Sequence, residues 1–418
     1  MIYGRLYNLG IGLYKTAVRL AAPFNPKARA WVEGRSEIWP ELQRTFAHQP
    51  RVIWFHAASL GEAEQAVPVM EAIKKDYPDR QILLTFFSPS GMKHFKRHDL
   101  ADHIFYLPAD TPGNARKFVQ ICQPDMAIFI KYEIWANYFR ELQRAGMPLI
   151  LAPAIFRPEQ FYFQWPHRDF FLPILRKIQV ILTQDEASVA VLKNAGISRV
   201  KKVGDTRFEK VMQNSNEEFH DPLLEQFARY RPLLIGGSTW APDEKLLRDL
   251  ATALPDLKMI IAPHDISRQN VLRVKDLFGK HQTFLYSEKP AEPQAFRFAI
   301  IDNIGLLSRL YRLGNIAYIG GAFGTGIHNS LEAAAYGLPL FFGPKHLNFV
   351  EPSQMLELGF GHEVRNSKEL IAETRALLND PQKMTAESRV AREYVRDGAG
   401  ATSLIMAEVH RFLGTGRN

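Results

Sequence analysis

Cysteine is nearly absent: Cys122 is the only one in 418 residues, which excludes an internal disulfide and a thiolate metal cage and points to a reducing compartment. No Walker-type lysine loop, no His-Glu-x-x-His and no Asp-x-Asp occurs, and the 13 histidines are scattered without ligand spacing, so no metal site is expected. Low-complexity tracts and short repeats are missing, and the 46% hydrophobic, 23% charged composition is that of an ordinary globular chain. Acids are outnumbered, 44 against 52 lysines and arginines. The resulting +8 charge favours an anionic partner, whether nucleic acid, an acidic membrane leaflet or a phosphorylated substrate.

Long apolar runs are scarce as well. The first 24 residues look like a leader until counted: the uncharged run before Lys15 spans only 6–14, short of the roughly 20 residues a spanning helix needs. Drawn as a helix, Ile2, Leu6, Leu9, Leu13, Ala17 and Leu20 share one face, and Arg5, Asn8, Gly12, Lys15 and Arg19 share another. Such a basic amphipathic segment either packs on the protein's own core or lies in a membrane interface, with Tyr3, Tyr7 and Tyr14 at headgroup depth.

What the chain does have is alternation. Apolar runs at 52–55, 82–87, 104–107, 126–130, 149–151 and 180–183 read as buried strands, with helical periods between them such as 63–75 and 134–145. A second series follows at 233–236, 259–262, 298–301, 317–320 and 340–342, with helices at 243–254 and 329–336. The pattern predicts an α/β protein of two Rossmann-like halves. The expected division is 1–24 as the amphipathic helix, 25–212 as the first domain, 213–230 as a linker and 231–418 as the second domain, whose last helix could pack back on the first half.

Ligands bind such sheets beyond the carboxyl ends of the strands, so strand-to-helix loops carry the chemistry. In "HAASLGE", 56–62, small residues including Ser59 and Gly61 admit a substrate to the backbone, and Glu62 opens the next helix. In "IKYEIW", 130–135, Glu133 follows another strand. Each acid could simply complement a helix N-terminus, or the two could converge and divide proton abstraction from hydroxyl positioning. In the second half, "GGSTW" offers Ser238, Thr239 and backbone amides to a phosphate at a helix N-terminus. The glycines of "YIGGAFGTGIHNSLEAAAYGLP", 318–339, permit close backbone approach to a phosphate, and Glu332 could accept from a ribose, while Asn329 and Glu332 alone would also serve as cap and first-turn acid.

The ordered set "HAASLGE", "EIW", "GDTRFEKV" at 204–211, "GGSTW", "APH" at 262–264, "GIHNSLEAAAYGLP" and "GPKHLNFVE" at 343–351 resembles the 3-deoxy-D-manno-octulosonic acid (Kdo) transferases of lipopolysaccharide synthesis over nearly the whole chain. The resemblance implies the GT-B arrangement and transfer of Kdo from CMP-Kdo, a substrate and not a cofactor, to a lipid A precursor. It implies inversion at the anomeric carbon and no bound metal or cofactor. Glu62 falls on the family's catalytic base and Glu133 on a second acid of the acceptor side, with Ser59, Gly61, Lys131 and Arg157 beside them. Ser238, Thr239, Pro263, His264, Gly324, Gly326, Asn329 and Glu332 fall on the donor side. An anionic membrane surface at the cytoplasmic face of the inner membrane is the implied setting, with no nucleic-acid partner. The chain departs from the family at Lys131 and Tyr132, where relatives have an acid and a threonine, at Ala136 after "EIW", and across 154–166. Alternatives are a UDP-sugar glycosyltransferase or a silent nucleotide-sugar binder at the membrane.

Overall fold

The computed structural model describes residues 2–131, 133–229, 232–324, 326–347 and 349–414. Tyr132, Thr325 of the glycine loop, Asn348 of "GPKHLNFVE", residues 230–231 at the end of the expected linker and the side chain of Ile2 lie outside the described residues. The chain forms two compact units, Met1–Lys210 with Ala399–Asn418, and Val211–Gly398.

The first unit is built on a parallel sheet of β1 (Val52–Ala57), β2 (Gln81–Phe86), β3 (His103–Tyr106), β4 (Met126–Phe129), β5 (Leu149–Ala154), β6 (Val180–Thr183) and β7 (Val200–Lys202), in the order β3-β2-β1-β4-β5-β6-β7. Alternate residues of β1 feed opposite faces: Val52 and Trp54 enter one core, Ile53 and Phe55 the other. Burial on both faces is why these strands read as continuous apolar runs. The strand order reverses between β1 and β4, so the loops carrying Glu62 and Glu133 flank the switch point where such sheets bind ligands.

The second unit repeats the scheme with β8 (Leu233–Thr239), β9 (Lys258–Pro263), β10 (Thr283–Leu285), β11 (Phe298–Ile300), β12 (Ile316–Ile319), β13 (Leu340–Phe342) and β14 (Gly361–Glu363), in the order β10-β11-β9-β8-β12-β13-β14. Its switch point lies between β8 and β12. The loops that leave them are "STW" and the glycine-rich segment.

The division differs from the one read from the sequence. The boundary falls at 210/211, and residues 213–229 are not a free linker: the helix Pro222–Ala228 buries Leu224 and Phe227. The terminal helix Ala401–Gly414 belongs to the first unit, where Ile405, Met406, Val409 and Leu413 join the core beside Ala63 and Met70.

The N-terminal helix Ile2–Ala21 presents two surfaces. Tyr3 and Tyr7 pack on the first unit's core, and the Tyr7 ring lies tilted against Phe170 and edge-on to Phe171. Leu6, Leu9, Leu13 and Leu20 are 55–72% exposed. Tyr7 was expected at headgroup depth; its hydroxyl is instead drawn inward by Asp110, at 2.6 Å. Among the described residues no helix is long and apolar enough to cross a membrane.

Candidate active site

Glu62 is the third residue of the helix Leu60–Asp76, whose preceding Ser59 makes no side-chain cap. Its carboxylate reaches back past that residue and accepts from the Ala58 amide at 2.5 Å, which fixes it in the first turn. The structural reading of Glu62 is thus realised, but it is not the whole account. The group is 7% exposed, and burial raises its pKa above the ordinary glutamate value, opposed by the Ala58 amide, the Lys131 charge and the Ser59 amide. Gly61 faces open space: a Cβ there would meet nothing within 4 Å, as an approach route to the backbone requires.

Glu133 sits outside any helix, because the next one begins only at Ala136 (Ala136–Arg144). The first-turn role is therefore ruled out for this acid. Burial, and after it the negative charge of Glu62, push its pKa up to about 7, while Trp135 and Lys131 favour its ionised form. The two acids are thus close enough to repel, and Lys131, held in a left-handed conformation (φ 59°), supplies the charge that tempers both. Below them His56 is fully buried, with Nδ1 2.9 Å from the Thr85 hydroxyl, and burial depresses its pKa to about 3, so it is neutral. Arg157 is engaged elsewhere: its guanidinium pairs with Asp185 at 2.7 Å and binds Ser188 Oγ at 3.1 Å, tying the divergent 154–166 segment to the helix Glu186–Asn194.

In the second unit a cavity of about 300 Å³ is lined by Ser238, His264, Asn329 and Glu332 of the expected donor set, together with His328 and Tyr311. Three expectations need correction here. Thr239 ends β8, and its hydroxyl turns inward to donate to Glu244 at 3.3 Å. The N-terminus of the helix Ala241–Ala253, expected to hold phosphate, is filled by the protein's own Asp243, which accepts from the Trp240 amide (2.9 Å), the Gly321 amide (3.0 Å) and the Tyr318 hydroxyl (2.9 Å). The Gly324 and Gly326 amides are likewise spent on Gly321 O, at 2.8 and 3.2 Å. Glycine is required here mainly for the protein's own packing: a Cβ on Gly320 would lie 2.4 Å from Ser238 O, and Gly321 combines φ 96° with Gly326 O at the same distance.

Pro263 closes β9, and the His264 amide binds Thr239 O at 2.9 Å. Asn329 donates to Glu332 at 3.0 Å and accepts from the Leu331 amide at 3.2 Å, one residue ahead of the Ser330 N-cap of the helix Leu331–Ala335, while remaining exposed. Sequence reasoning missed a stack of three rings. Trp240 lies on His264 (4.6 Å between centroids) and His264 on His328 (4.5 Å), while the Trp240 indole N–H donates to His328 Nε2 at 3.0 Å. That bond needs the His328 Nε2 lone pair; burial and then the neighbouring His264 lower the His328 pKa, which preserves it. Both residues stand in the quoted motifs, but their contact joins loops nearly 90 residues apart. Among the described residues, no three His, Cys, Asp or Glu side chains cluster as a metal site would require.

Comparison with known proteins adds a family to this geometry. Residues 39–210 match the family described as 3-deoxy-D-manno-octulosonic-acid transferase (Kdo transferase). That span takes in the whole of the first unit's sheet. The chain is 28% identical over 371 residues to the Kdo transferase of Haemophilus influenzae, covering 85% of this chain and 86% of that one. It is 25% identical over 345 residues to that of Aquifex aeolicus, covering 81% and 89%. In fold it is similar to a putative UDP-N-acetylglucosamine 2-epimerase from Listeria monocytogenes, with TM-score 0.63, 14% identity and coverage of 88% and 98%. It is also similar in fold to Acinetobacter baumannii MurG, with TM-score 0.53, 13% identity and coverage of 87% and 100%. The family match to residues 39–210 and these relatives, on a fold of two Rossmann-like units of the GT-B type, make the chain similar to the Kdo transferases.

Proposed function

We propose that the protein transfers Kdo from CMP-Kdo to a hydroxyl of a lipid A precursor, with inversion and without a metal ion. The observation that carries this reading is the pair of mutually repelling carboxylates, Glu62 buried and Glu133 half-buried, at the switch point of the matched domain. Burial raises the Glu62 pKa against the Ala58 and Ser59 amides and the Lys131 charge, while Glu133, pushed up to about 7, holds its proton close to neutral pH. Glu62 then takes the acceptor hydroxyl's proton as that oxygen bonds to the anomeric carbon of Kdo. The bond from that carbon to the phosphate oxygen breaks, and CMP leaves with the electron pair. Protonated Glu133 positions the acceptor, with Ser59, Gly61 and Lys131 around it. On the donor side, Ser238, Pro263, His264, Asn329 and Glu332 hold CMP-Kdo, the His264 edge and the Ser238 hydroxyl supplying donors to the phosphate.

The exposed leucines of the N-terminal helix support a peripheral attachment to the cytoplasmic face of the inner membrane, where the lipid acceptor resides. Mass spectrometry of a lipid A precursor incubated with CMP-Kdo and the protein tests the whole reading. A mass increase of one or more Kdo units is expected. No increase with CMP-Kdo, together with thermal stabilisation by UDP and none by CMP, would refute it.

A further inference from the structure

Asp110 lies between β3 and the helix Pro112–Cys122, fully buried, and it is the anchor of a different helix. The helix Ala136–Arg144 has Trp135 at its N-cap, which offers no side-chain cap. Its second and third amides are satisfied from outside, and its first has Tyr7 as a neighbour. The Ala136 amide lies against the Tyr7 oxygen, the Asn137 amide donates to Asp110 Oδ2 at 3.1 Å, and the Tyr138 amide donates to Asp110 Oδ1 at 3.0 Å. The N-terminal helix grips the same point twice: the Tyr7 hydroxyl donates to Asp110 Oδ2 at 2.6 Å, and Asn8 Oδ1 accepts from Asn137 Nδ2 at 2.9 Å. That Asn137 amide also binds the Asp110 carbonyl, at 2.6 Å.

Glu62 rides on its own helix and is fixed by the Ala58 amide. Glu133 has neither advantage. It stands with Ile134 and Trp135 ahead of the helix that begins at Ala136, outside any helix or strand, so its position depends on where that helix is made to begin. We infer that Tyr7, Asn8 and Asp110 are positioning residues for Glu133, so that the N-terminal helix is a working part of the acceptor site. This rests on the proposed function for the role of Glu133, but not for the linkage itself. The charged and titratable groups around Glu133 are Glu62 and Lys131; those around Asp110 are Tyr7, Tyr138 and Arg140.

The test compares the full-length chain with Tyr7→Phe, which removes one hydroxyl and leaves the ring contacts, and with Asp110→Asn. Leu9→Ala on the exposed side of the same helix serves as control. Difference infrared spectroscopy against Glu133→Gln follows the Glu133 carboxyl titration, and hydrogen exchange follows the Asn137 and Tyr138 amides. In Tyr7→Phe the titration should move down from about 7 toward the ordinary glutamate range as water reaches the loosened segment, while the control stays unshifted. Turnover of a detergent-dispersed acceptor should fall between about 10- and 100-fold, as loss of orientation does, with the donor KM unchanged. Faster amide exchange with an unmoved Glu133 titration and wild-type kcat would overturn the inference and leave Asp110 a cap only. If the wild type transfers no Kdo, the proposed function fails, and the titration and exchange still decide the linkage.

Discussion

Replacing Glu133 with glutamine asks whether the two acids truly share a buried charge problem. In the folded protein Glu133 titrates at about 7 against an ordinary 4.5. A folded pKa raised above the unfolded one means that the folded state holds the proton longer. Stability is therefore complete below about pH 4.5 and declines as pH rises to about 7, beyond which the full penalty remains. A gap of about 2.5 units at 1.36 kcal/mol per unit puts that penalty at roughly 3 kcal/mol. Glutamine has the shape of the protonated acid and cannot ionise, so Glu133→Gln should be more stable than wild type at pH 8 by up to that amount and close to it at pH 4.5. Denaturant unfolding at several pH values measures the difference. Because the Glu62 charge is the second cause of the shift, the gain should shrink in a Glu62→Gln background. A stability difference that does not change between pH 4.5 and pH 8, or one indifferent to Glu62, would refute the paired-acid description. Turnover adds a further check: glutamine keeps a hydrogen-bond donor for the acceptor, so Glu133→Gln should lose less activity than Glu62→Gln.

For Glu62→Gln itself, CMP-Kdo binding should persist while turnover falls by roughly 10²- to 10⁴-fold, the range of a positioned general base; near-normal turnover would remove Glu62 from that role. Glu332→Ala should weaken CMP binding in calorimetry and leave lipid binding intact, and an unchanged CMP affinity would exclude it from the donor site. Trp240→Phe keeps a ring on His264 but deletes the bond to His328 Nε2. Its CMP affinity should fall and become more sensitive to mild acid, because His328 is then freer to take a proton; a pH response identical to wild type would show the indole N–H to be incidental.

Much of the fold was legible in the sequence because parallel strands covered on both faces are apolar throughout, and those runs stand out. The three strands that escaped, β7, β10 and β14, are three-residue strands at sheet edges, where Val200 is followed by exposed Lys201 and Lys202 and no apolar run forms. The switch-point loops were found for the same reason as the strands. What each loop residue does inside its loop was not. Thr239, Gly324 and Gly326 have the composition of a phosphate cradle, yet their polar groups close on Glu244 and Gly321. Asp243 was not singled out because an acid at the third helix position is ordinary; only the folded chain brings Tyr318 and Gly321 to it. Glu133 and Asp110 follow the same logic, since a pKa displaced by burial depends on neighbours distant in sequence.

The N-terminal helix is where the two original alternatives, own core or membrane interface, need not exclude each other. Tyr3, Tyr7 and Asn8 face the protein, while Leu6, Leu9, Leu13 and Leu20 face outward. Fully burying a leucine contributes about 1.5–3 kcal/mol, so side chains still 55–72% exposed have roughly 1–2 kcal/mol each left to gain, or about 4–8 kcal/mol together. Arg5, Lys15 and Arg19 near anionic headgroups contribute about 1 kcal/mol apiece. The apolar part should therefore dominate. Changing the four leucines to serine should abolish sedimentation with anionic vesicles, whereas Glu at the three basic positions, or moderate salt, should only weaken it. The leucine variant should stay folded, because Tyr7 still holds Asp110. If instead the serine variant sediments like wild type, or unfolds on its own, the leucines belong to the protein's interior contacts and the attachment lies elsewhere.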